Sequence, residues 1–348
     1  IDPREPAMPI STPPQYAAEL AAATGLYYTQ GLPEDTKALD AGVLDDDDYV
    51  QMATIIYQEH MAALRHELAR FAKLDSGFLF FYFNSPDQNC HMFWRAMDPD
   101  SPVHAEAAAH ADRIHDVYVS LDAALGEILQ AVDERTVLMV MSDHGFAPYR
   151  RSFHVNRWLL ENGYLAVLPG VDPTDIEYLA GVDWSRTRAY ALGINSVYLN
   201  LRGREQNGIV GQGHEQEALL AELAAKLEQV VDPATGQRAV KYAYRGGRVY
   251  QGPHAAQAPD IVMGYYRGFR GSDESALGEI PADVFADNLR KWSGDHCMAA
   301  DEVPGILATN RPLAAADPSL VDMAPTILRL FGLTPPAEMI GRDLFGGS

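Results

Sequence analysis

Two apolar runs dominate the hydrophobic pattern of the chain. Residues 77–83, GFLFFYF, and residues 137–141, VLMVM, have the length of strands and no helical period, which is typical of strands buried on both faces of a parallel sheet. Between them, residues 104–132 place apolar side chains on one face of a long predicted helix. Because strand, helix and strand follow one another, we predict a right-handed crossover that makes the two strands parallel.

Further helices and strands are predicted along the rest of the chain. Residues 49–73 carry apolar residues at helical spacing, whereas residues 1–48 are rich in proline and are predicted to be mostly loop. The other elements are helices at 155–162, 215–230 and 321–331 and strands at 188–201, 259–264 and 304–308. We predict an α/β fold with a mostly parallel central sheet flanked by helices, a single domain over 49–348, and a small cap or insertion around 150–250.

The composition is that of a globular protein with an excess of acidic groups. Apolar residues make up 47% of the chain, and the formal net charge is −21. Nucleic acid polymers and anionic membranes are bound by basic patches, so neither is an expected partner. No apolar run is long enough to span a membrane, and the first ten residues lack the basic start and apolar core of a signal peptide. We expect a soluble protein.

Two motifs combine aspartate with histidine just beyond the two apolar runs. Asp143 and His144 follow residues 137–141 directly, at the position where an open α/β sheet presents its functional groups. Asp87 and His91 are four residues apart, which places carboxylate and imidazole on one face of a helical turn, where both can reach one metal ion. The alternative is a solvated turn, because aspartate is common in turns for local hydrogen-bonding reasons.

A third motif, SGDHCM at 293–298, adds Asp295 and His296, with Asp295 expected to orient the imidazole of His296. Three such motifs in one chain predict two divalent metal sites with oxygen and nitrogen ligands, which suits Zn²⁺ best and tolerates Mn²⁺ or Fe. Two ions about 4 Å apart hold the attacking and leaving oxygens of a phosphoryl transfer. His154 and Arg267 are candidate contacts to the substrate or to the ligands, although each could equally be structural.

The ordered set DxxxH, SDHG and GDH resembles the alkaline phosphatase superfamily. More narrowly, it is similar to the type I phosphodiesterase/nucleotide pyrophosphatase branch and its bacterial predicted phosphohydrolase/phosphomutase relatives. The resemblance covers most of the chain from about residue 9 onward, and it implies an alkaline-phosphatase-like α/β sandwich. It also favours the bacterial cytoplasm as the compartment. The segments that carry it are FFYFNSPDQNCHMFWR, VMSDHGF, FHVNRWLLENGYL, AYALGINSVYLNLRGRE, WSGDHCM and DMAPTILRLFGL.

The resemblance implies a division of the metal ligands between two ions. It assigns one ion to Asp87, His91 and His296, and the other ion to Asp143 and His144. The family also needs a further aspartate and a Thr or Ser nucleophile from a segment N-terminal to these motifs. Residues 1–48 contain no apolar strand that ends in aspartate. We therefore expect the chain to be the C-terminal part of a longer protein, with the nucleophile upstream and the missing segment as a possible partner.

The implied function is that of a metal-dependent phosphohydrolase. Its partner would be a small phosphate ester, with phosphodiesters or nucleotide pyrophosphates first and phosphomonoesters second. One alternative is a phosphomutase, which would recapture the phosphoryl group before water does, and a sulfatase is a weaker one. A protein of another class, a fragment or degenerate relative that binds metal and catalyses nothing, is the third.

Overall fold

A computed structural model describes residues 2–29 and 33–346. Within them, the chain forms eleven α-helices and ten short strands, and the predicted α/β class is confirmed. The helices are α1 (Tyr16–Thr24), α2 (Thr36–Asp40), α3 (Asp46–Phe71), α4 (Ser85–Met97), α5 (His104–Ala107), α6 (Arg113–Ala131), α7 (Val155–Glu161), α8 (His214–Leu227), α9 (Gly246–Val249), α10 (Asp273–Ala276) and α11 (Met323–Leu330). The strands are β1 (Met139–Met141), β2 (Ala147–Phe153), β3 (Ala189–Ala191), β4 (Ser196–Leu199), β5 (Val240–Arg245), β6 (Ile261–Tyr265), β7 (Gly268–Gly271), β8 (Phe285–Asp287), β9 (Gly294–Asp295) and β10 (Leu307–Thr309).

The run of four aspartates at 45–48 begins the longest helix. Asp45 caps α3 and exchanges hydrogen bonds with Asp48 in a capping box, and acidic side chains in a first turn also interact favourably with the helix dipole. Asp46 accepts hydrogen bonds from Arg95 of α4 at 2.6 Å and from Lys291 at 3.2 Å. The acidic run therefore ties α3 both to α4 and to the segment that precedes β9.

Three sheets are present in the described part of the chain, and most of their ladders are antiparallel. The first has the order β7-β2-β8, with β9 also paired to β2; the second has the order β3-β4-β6-β5; the third joins β1 to β10. Only β2 and β7 run parallel in these ladders. The mostly parallel central sheet that the sequence predicts is therefore not formed by the described residues.

The two apolar runs differ most from their prediction. Residues 77–83 are extended but pair with no strand of the described segments. Phe80 is 66% exposed, whereas Phe81 packs against the apolar residues of α3 and α6. Residues 137–141 shorten to β1, which is half-buried and antiparallel to β10. The predicted parallel pair is thus not formed, and helices cover only one face of residues 77–83.

Other predicted elements are confirmed with shifted ends, or divide in two. Helices α3, α7, α8 and α11 and strands β6 and β10 occur where the sequence predicts them, while residues 1–48 also contain α1 and α2. The strand predicted over 188–201 is the antiparallel pair β3 and β4. The helix predicted over 104–132 divides into α5 and α6, and both parts are held on α4: His104 Nδ1 donates to the Arg95 carbonyl, and Arg113 Nε donates to Asn89 Oδ1.

Of the three apolar cores in the described residues, two share Trp292, and the third packs alternate residues of 79–83 on α3 and α6. The larger core joins β2, the β3-β4-β6-β5 sheet, α7 and α8, and the smaller core joins α2, α3 and α4. Trp292 packs against both cores. The predicted cap at 150–250 contributes much of the larger core, and its domain boundary stays a prediction. No helix in the described ranges has the length and apolar character to cross a bilayer.

Candidate metal centre

The first turn of α4 presents the aspartate of the DxxxH motif. Asn84 and Ser85 at the start of the helix both donate to the carboxylate of Glu34, at 2.5 and 2.8 Å. Glu34 is buried and carries no sequence motif, so sequence analysis missed it. Asp87 follows in the first turn, and its Oδ2 lies 3.6 Å from Nε2 of His91 one turn later. The four-residue spacing therefore places both side chains on one helix face, as predicted.

The SDHG motif forms a tight turn after β1. The Gly145 amide donates to the Val303 carbonyl at 2.9 Å, and a Cβ at Gly145 would lie only 2.5 Å from the Pro304 carbonyl oxygen. Glycine is therefore needed for the close approach of the two segments. The turn directs His144 toward α4, where its Nε2 lies 3.9 Å from Asp87 Oδ1.

The GDH motif lies directly on α4. Gly294 in β9 packs so closely that a Cβ would stand 2.3 Å from the Cys90 carbonyl oxygen, and the Ser293 amide donates to the His91 carbonyl at 2.7 Å. This contact brings Nε2 of the next histidine, His296, to 3.8 Å from Asp87 Oδ1. Each of the two motif glycines thus allows one histidine to reach the start of α4.

Asp87 is the point at which the three histidines converge. The ligand atoms of Asp87, His144 and His296 all lie within 4.8 Å of one another, and the rings of His144 and His296 are stacked at 3.7 Å. Ligands around a tetrahedral zinc ion, with bonds of about 2.0–2.1 Å, are separated by about 3.4 Å. The separations of 3.8–3.9 Å between Asp87 Oδ1 and Nε2 of His144 and His296 are close to that value, so these three residues fit a divalent metal ion, while Nε2 of His91 lies 3.6 Å from the other oxygen, Asp87 Oδ2.

The geometry groups the ligands somewhat differently from the resemblance. It places His144 with Asp87 and His296, whereas the resemblance assigns His144 to a second ion with Asp143. The Asp143 carboxylate is largely exposed, and its Oδ2 is 3.5 Å from Nε2 of His144. The division of these residues between two ions stays a prediction.

Burial keeps two of the imidazoles neutral. It lowers the pKa of His91 to about 4, although Asp87 opposes the shift, and it also lowers the pKa of His296, with a further contribution from the neighbouring His144. His91 Nδ1 donates to the Gly294 carbonyl at 2.7 Å, which leaves the lone pair on Nε2, facing Asp87. A neutral imidazole with this tautomer is the form that binds a metal.

The buried carboxylate of Asp295 holds the loop that carries His296. Its carboxylate accepts hydrogen bonds from the Arg270 guanidinium, the Trp292 indole and the backbone amides of His296 and Cys297, all at 2.7–2.8 Å. Burial opposes ionisation, but the charge of Arg270 and these donors keep the Asp295 pKa well below its usual value. All of its acceptor capacity is used, so Asp295 anchors the loop.

The structure does not bring His154 and Arg267 to the cluster. His154 stands at the start of α7, where Nδ1 donates to the Asp283 carbonyl at 2.7 Å and Nε2 lies 4.0 Å from Glu274. Arg267 is exposed in the turn between β6 and β7. Sequence analysis did not select Trp292 as a site residue, although its position beside the GDH motif was a usable signal.

The mixed α/β fold is consistent with that of a phosphodiesterase/pyrophosphatase-type hydrolase of the alkaline phosphatase superfamily. The family model of type I phosphodiesterase / nucleotide pyrophosphatase matches residues 6–274, so the chain belongs to this family. Asp87, His91, Asp143 and His144 lie inside the matched segment, while His296 lies beyond it. No curated protein matches the chain.

Proposed function

We propose that this chain provides the metal-binding part of a phosphohydrolase that acts on phosphodiesters, nucleotide pyrophosphates or phosphomonoesters with two divalent ions, Zn²⁺ first and Mn²⁺ or Fe second. The observation that carries the proposal is the convergence of His91, His144 and His296 on Asp87. These groups come from segments far apart in the sequence. Neutral imidazoles around one carboxylate are a donor set that suits such ions.

The side chains have distinct roles in this proposal. Asp87, His91, His144 and His296 would hold metal, and the exposed carboxylate of Asp143 would contribute to the second ion. Bound divalent ions supply charge stabilisation for phosphoryl oxygens and lower the pKa of a hydroxyl nucleophile. The protein's own contribution is orientation: the hydrogen bond from His91 Nδ1 to a backbone carbonyl keeps Nε2 available as a ligand.

We also propose that the nucleophile belongs to a segment other than the described residues. Serine hydroxyls beside the three motifs are already engaged: Ser85 donates to Glu34, and Ser142 and Ser293 accept backbone amides. Residues 77–83 supply further support, because this extended segment exposes alternate large side chains and pairs with no described strand. A strand carrying the Thr or Ser and a further aspartate would cover this open face and end near Asp87.

Metal binding tests the proposal directly. The purified chain would be dialysed against Zn²⁺ or Mn²⁺ and its metal content measured, beside Asp87→Asn and the matched control Asp116→Asn on the exposed surface of α6. We expect at least one tightly held ion per chain, lost in Asp87→Asn and kept in Asp116→Asn. A wild-type chain that retains no ion would overturn the proposal.

A second candidate function is that of a metal-binding protein without catalysis. It is supported by the serine hydroxyls beside the motifs, which already take part in hydrogen bonds. An activity assay separates the two candidates. The metal-loaded protein, including the segment proposed to carry the Thr or Ser, would be assayed on bis(4-nitrophenyl) phosphate, 4-nitrophenyl phosphate and a nucleotide pyrophosphate. Hydrolysis that is lost in Asp87→Asn supports the phosphohydrolase. Metal binding without turnover of any of the three esters favours the non-catalytic protein.

A further inference from the structure

Trp292 connects a buried carboxylate to one of the candidate ligands. Its indole ring lies against the His91 imidazole with centroids 3.6 Å apart and an angle of 25° between the planes. Its Nε1 donates to Asp295 Oδ2 at 2.8 Å. One face of the His91 ring is therefore covered by a side chain that is itself held by a hydrogen bond.

The carboxylate that holds Trp292 is fixed in turn. Arg270 is 3% exposed, donates to Asp295 at 2.7 Å and lies over the ring of Tyr149 at 4.4 Å. It also pairs with Asp273. Because Arg270 and Asp295 are held by several partners each, the acceptor for the indole N–H has one defined position. The indole plane is consequently defined as well.

Two other contacts also hold the His91 side chain. Trp292 restricts the remaining rotation of the imidazole about its side-chain bonds. The edge of Phe146 meets the imidazole at 4.8 Å, and Nδ1 donates to the Gly294 carbonyl. Groups that surround a metal-binding imidazole set its orientation and its tautomer, and their loss typically costs about 10–100-fold in metal affinity. A flat ring stacked at 3.6 Å allows little tilt of the imidazole it contacts.

We propose that Trp292 is a positioning residue, which holds the His91 imidazole with Nε2 toward Asp87. Trp292 is itself held by its hydrogen bond to the anchored carboxylate of Asp295. The inference rests on the proposed metal-binding function. Trp292 itself touches neither Asp87 nor the substrate in this proposal. It acts through His91.

Two substitutions of Trp292 separate its contacts. Trp292→Phe keeps an aromatic ring over His91 and removes the indole N–H, whereas Trp292→Leu removes both. Trp158→Phe in α7 is the matched control, since Trp158 is a buried tryptophan of the larger core that stacks on Tyr164. Zn²⁺ affinity would be measured by calorimetry, and the visible absorption spectrum of bound Co²⁺ would report ligand geometry.

We expect Zn²⁺ affinity to fall about 10–100-fold in Trp292→Leu, by the usual effect of losing such a neighbour, and by a smaller factor in Trp292→Phe. Both variants should change the Co²⁺ spectrum, and Trp158→Phe should change neither. A spectrum and an affinity equal to wild type in Trp292→Leu would show that Trp292 only packs and would overturn the inference. If Trp292→Leu fails to fold, Trp292→Phe tests the hydrogen bond to Asp295 by itself, and an affinity and a spectrum equal to wild type in Trp292→Phe would then overturn the inference.

A measurement without metal distinguishes failure of this inference from failure of the proposed function. Long-range ¹H–¹⁵N spectra of the metal-free chain report which ring nitrogen of His91 carries the proton. In wild type we expect the proton on Nδ1, held by the Gly294 carbonyl. In Trp292→Leu the ring can tilt away from this acceptor, and we expect a weakened hydrogen bond and a mixture of both tautomers. If the wild-type chain binds no metal but its tautomer differs from that of Trp292→Leu in this way, the metal site is refuted and the positioning role is supported. An unchanged tautomer in Trp292→Leu would refute the positioning role.

Discussion

Asp295→Asn is expected to destabilise the protein, because it removes the charge that anchors the loop carrying His296. The Asp295 side chain is 1% exposed and accepts four hydrogen bonds, one of them from the buried Arg270. An asparagine can still accept from the backbone amides, but its NH₂ group then faces the guanidinium of Arg270 and the indole N–H of Trp292. Breaking a buried ion pair by removing one partner costs about 3–5 kcal/mol. Because Arg270 keeps Asp273 as a second partner, we expect the lower end, about 3 kcal/mol.

Urea unfolding of the metal-free chain would measure this loss. Asp287→Asn is the control, since Asp287 pairs with Arg151 at 2.6 Å but its side chain is 56% exposed. An exposed pair contributes about 0–1 kcal/mol. If Asp295→Asn lowers the free energy of unfolding by less than about 1 kcal/mol, or if Asp287→Asn costs as much, the anchoring role of Asp295 is refuted.

Three further perturbations test other parts of the structure. Burial lowers the pKa of His91 from 6.5 to about 4. Its contribution to the free energy of unfolding is therefore complete above pH 6.5 and is lost as the pH falls toward 4, and the shift corresponds to about 3 kcal/mol. In the metal-free chain, the free energy of unfolding should fall less steeply with decreasing pH in His91→Gln than in wild type. Gly294→Ala would place a Cβ 2.3 Å from the Cys90 carbonyl oxygen. We expect the free energy of unfolding to fall by about 1–3 kcal/mol and Zn²⁺ to bind more weakly. A Zn²⁺ affinity equal to wild type by calorimetry would contradict the close packing of β9 on α4. Phe80→Glu should change the free energy of unfolding by less than about 0.5 kcal/mol because Phe80 is exposed. Phe81→Ala should cost about 1–2 kcal/mol, because Phe81 is partly buried against α3 and α6. A large effect of Phe80→Glu in this chain would contradict the open face.

The candidate ligands could be predicted from sequence because their signals are local. Asp87 and His91 share a helix face by spacing alone, and the two DH pairs each lie in a turn that follows or contains a short strand. Helix positions were also predictable, since an amphipathic period of 3.6 residues is a property of one continuous segment. What a local pattern cannot specify is which segments become neighbours.

Strand pairing was the part that the sequence could not provide. An apolar run such as residues 77–83 is compatible with burial on both faces or on one. The pattern shows which residues are apolar, but it does not show which neighbouring elements cover them. In the structure, helices cover one face and the other is open. Residues 137–141 form an antiparallel ladder with β10, a partner more than 160 residues away. Register with such a partner depends on tertiary packing, which alternation within one run does not encode.

Two buried carboxylates without a ligand role hold the site in place, and they do so under opposite electrostatic conditions. Asp295 has a guanidinium beside it, so its pKa is lowered although it is buried. Glu34 holds the start of α4 through neutral donors, Asn84 and Ser85, so burial dominates and raises its pKa, with a further contribution from the charge of Asp87. A divalent cation bound by Asp87 would offset that contribution and favour ionised Glu34. Metal binding and the anchoring of α4 are therefore expected to be coupled through charge.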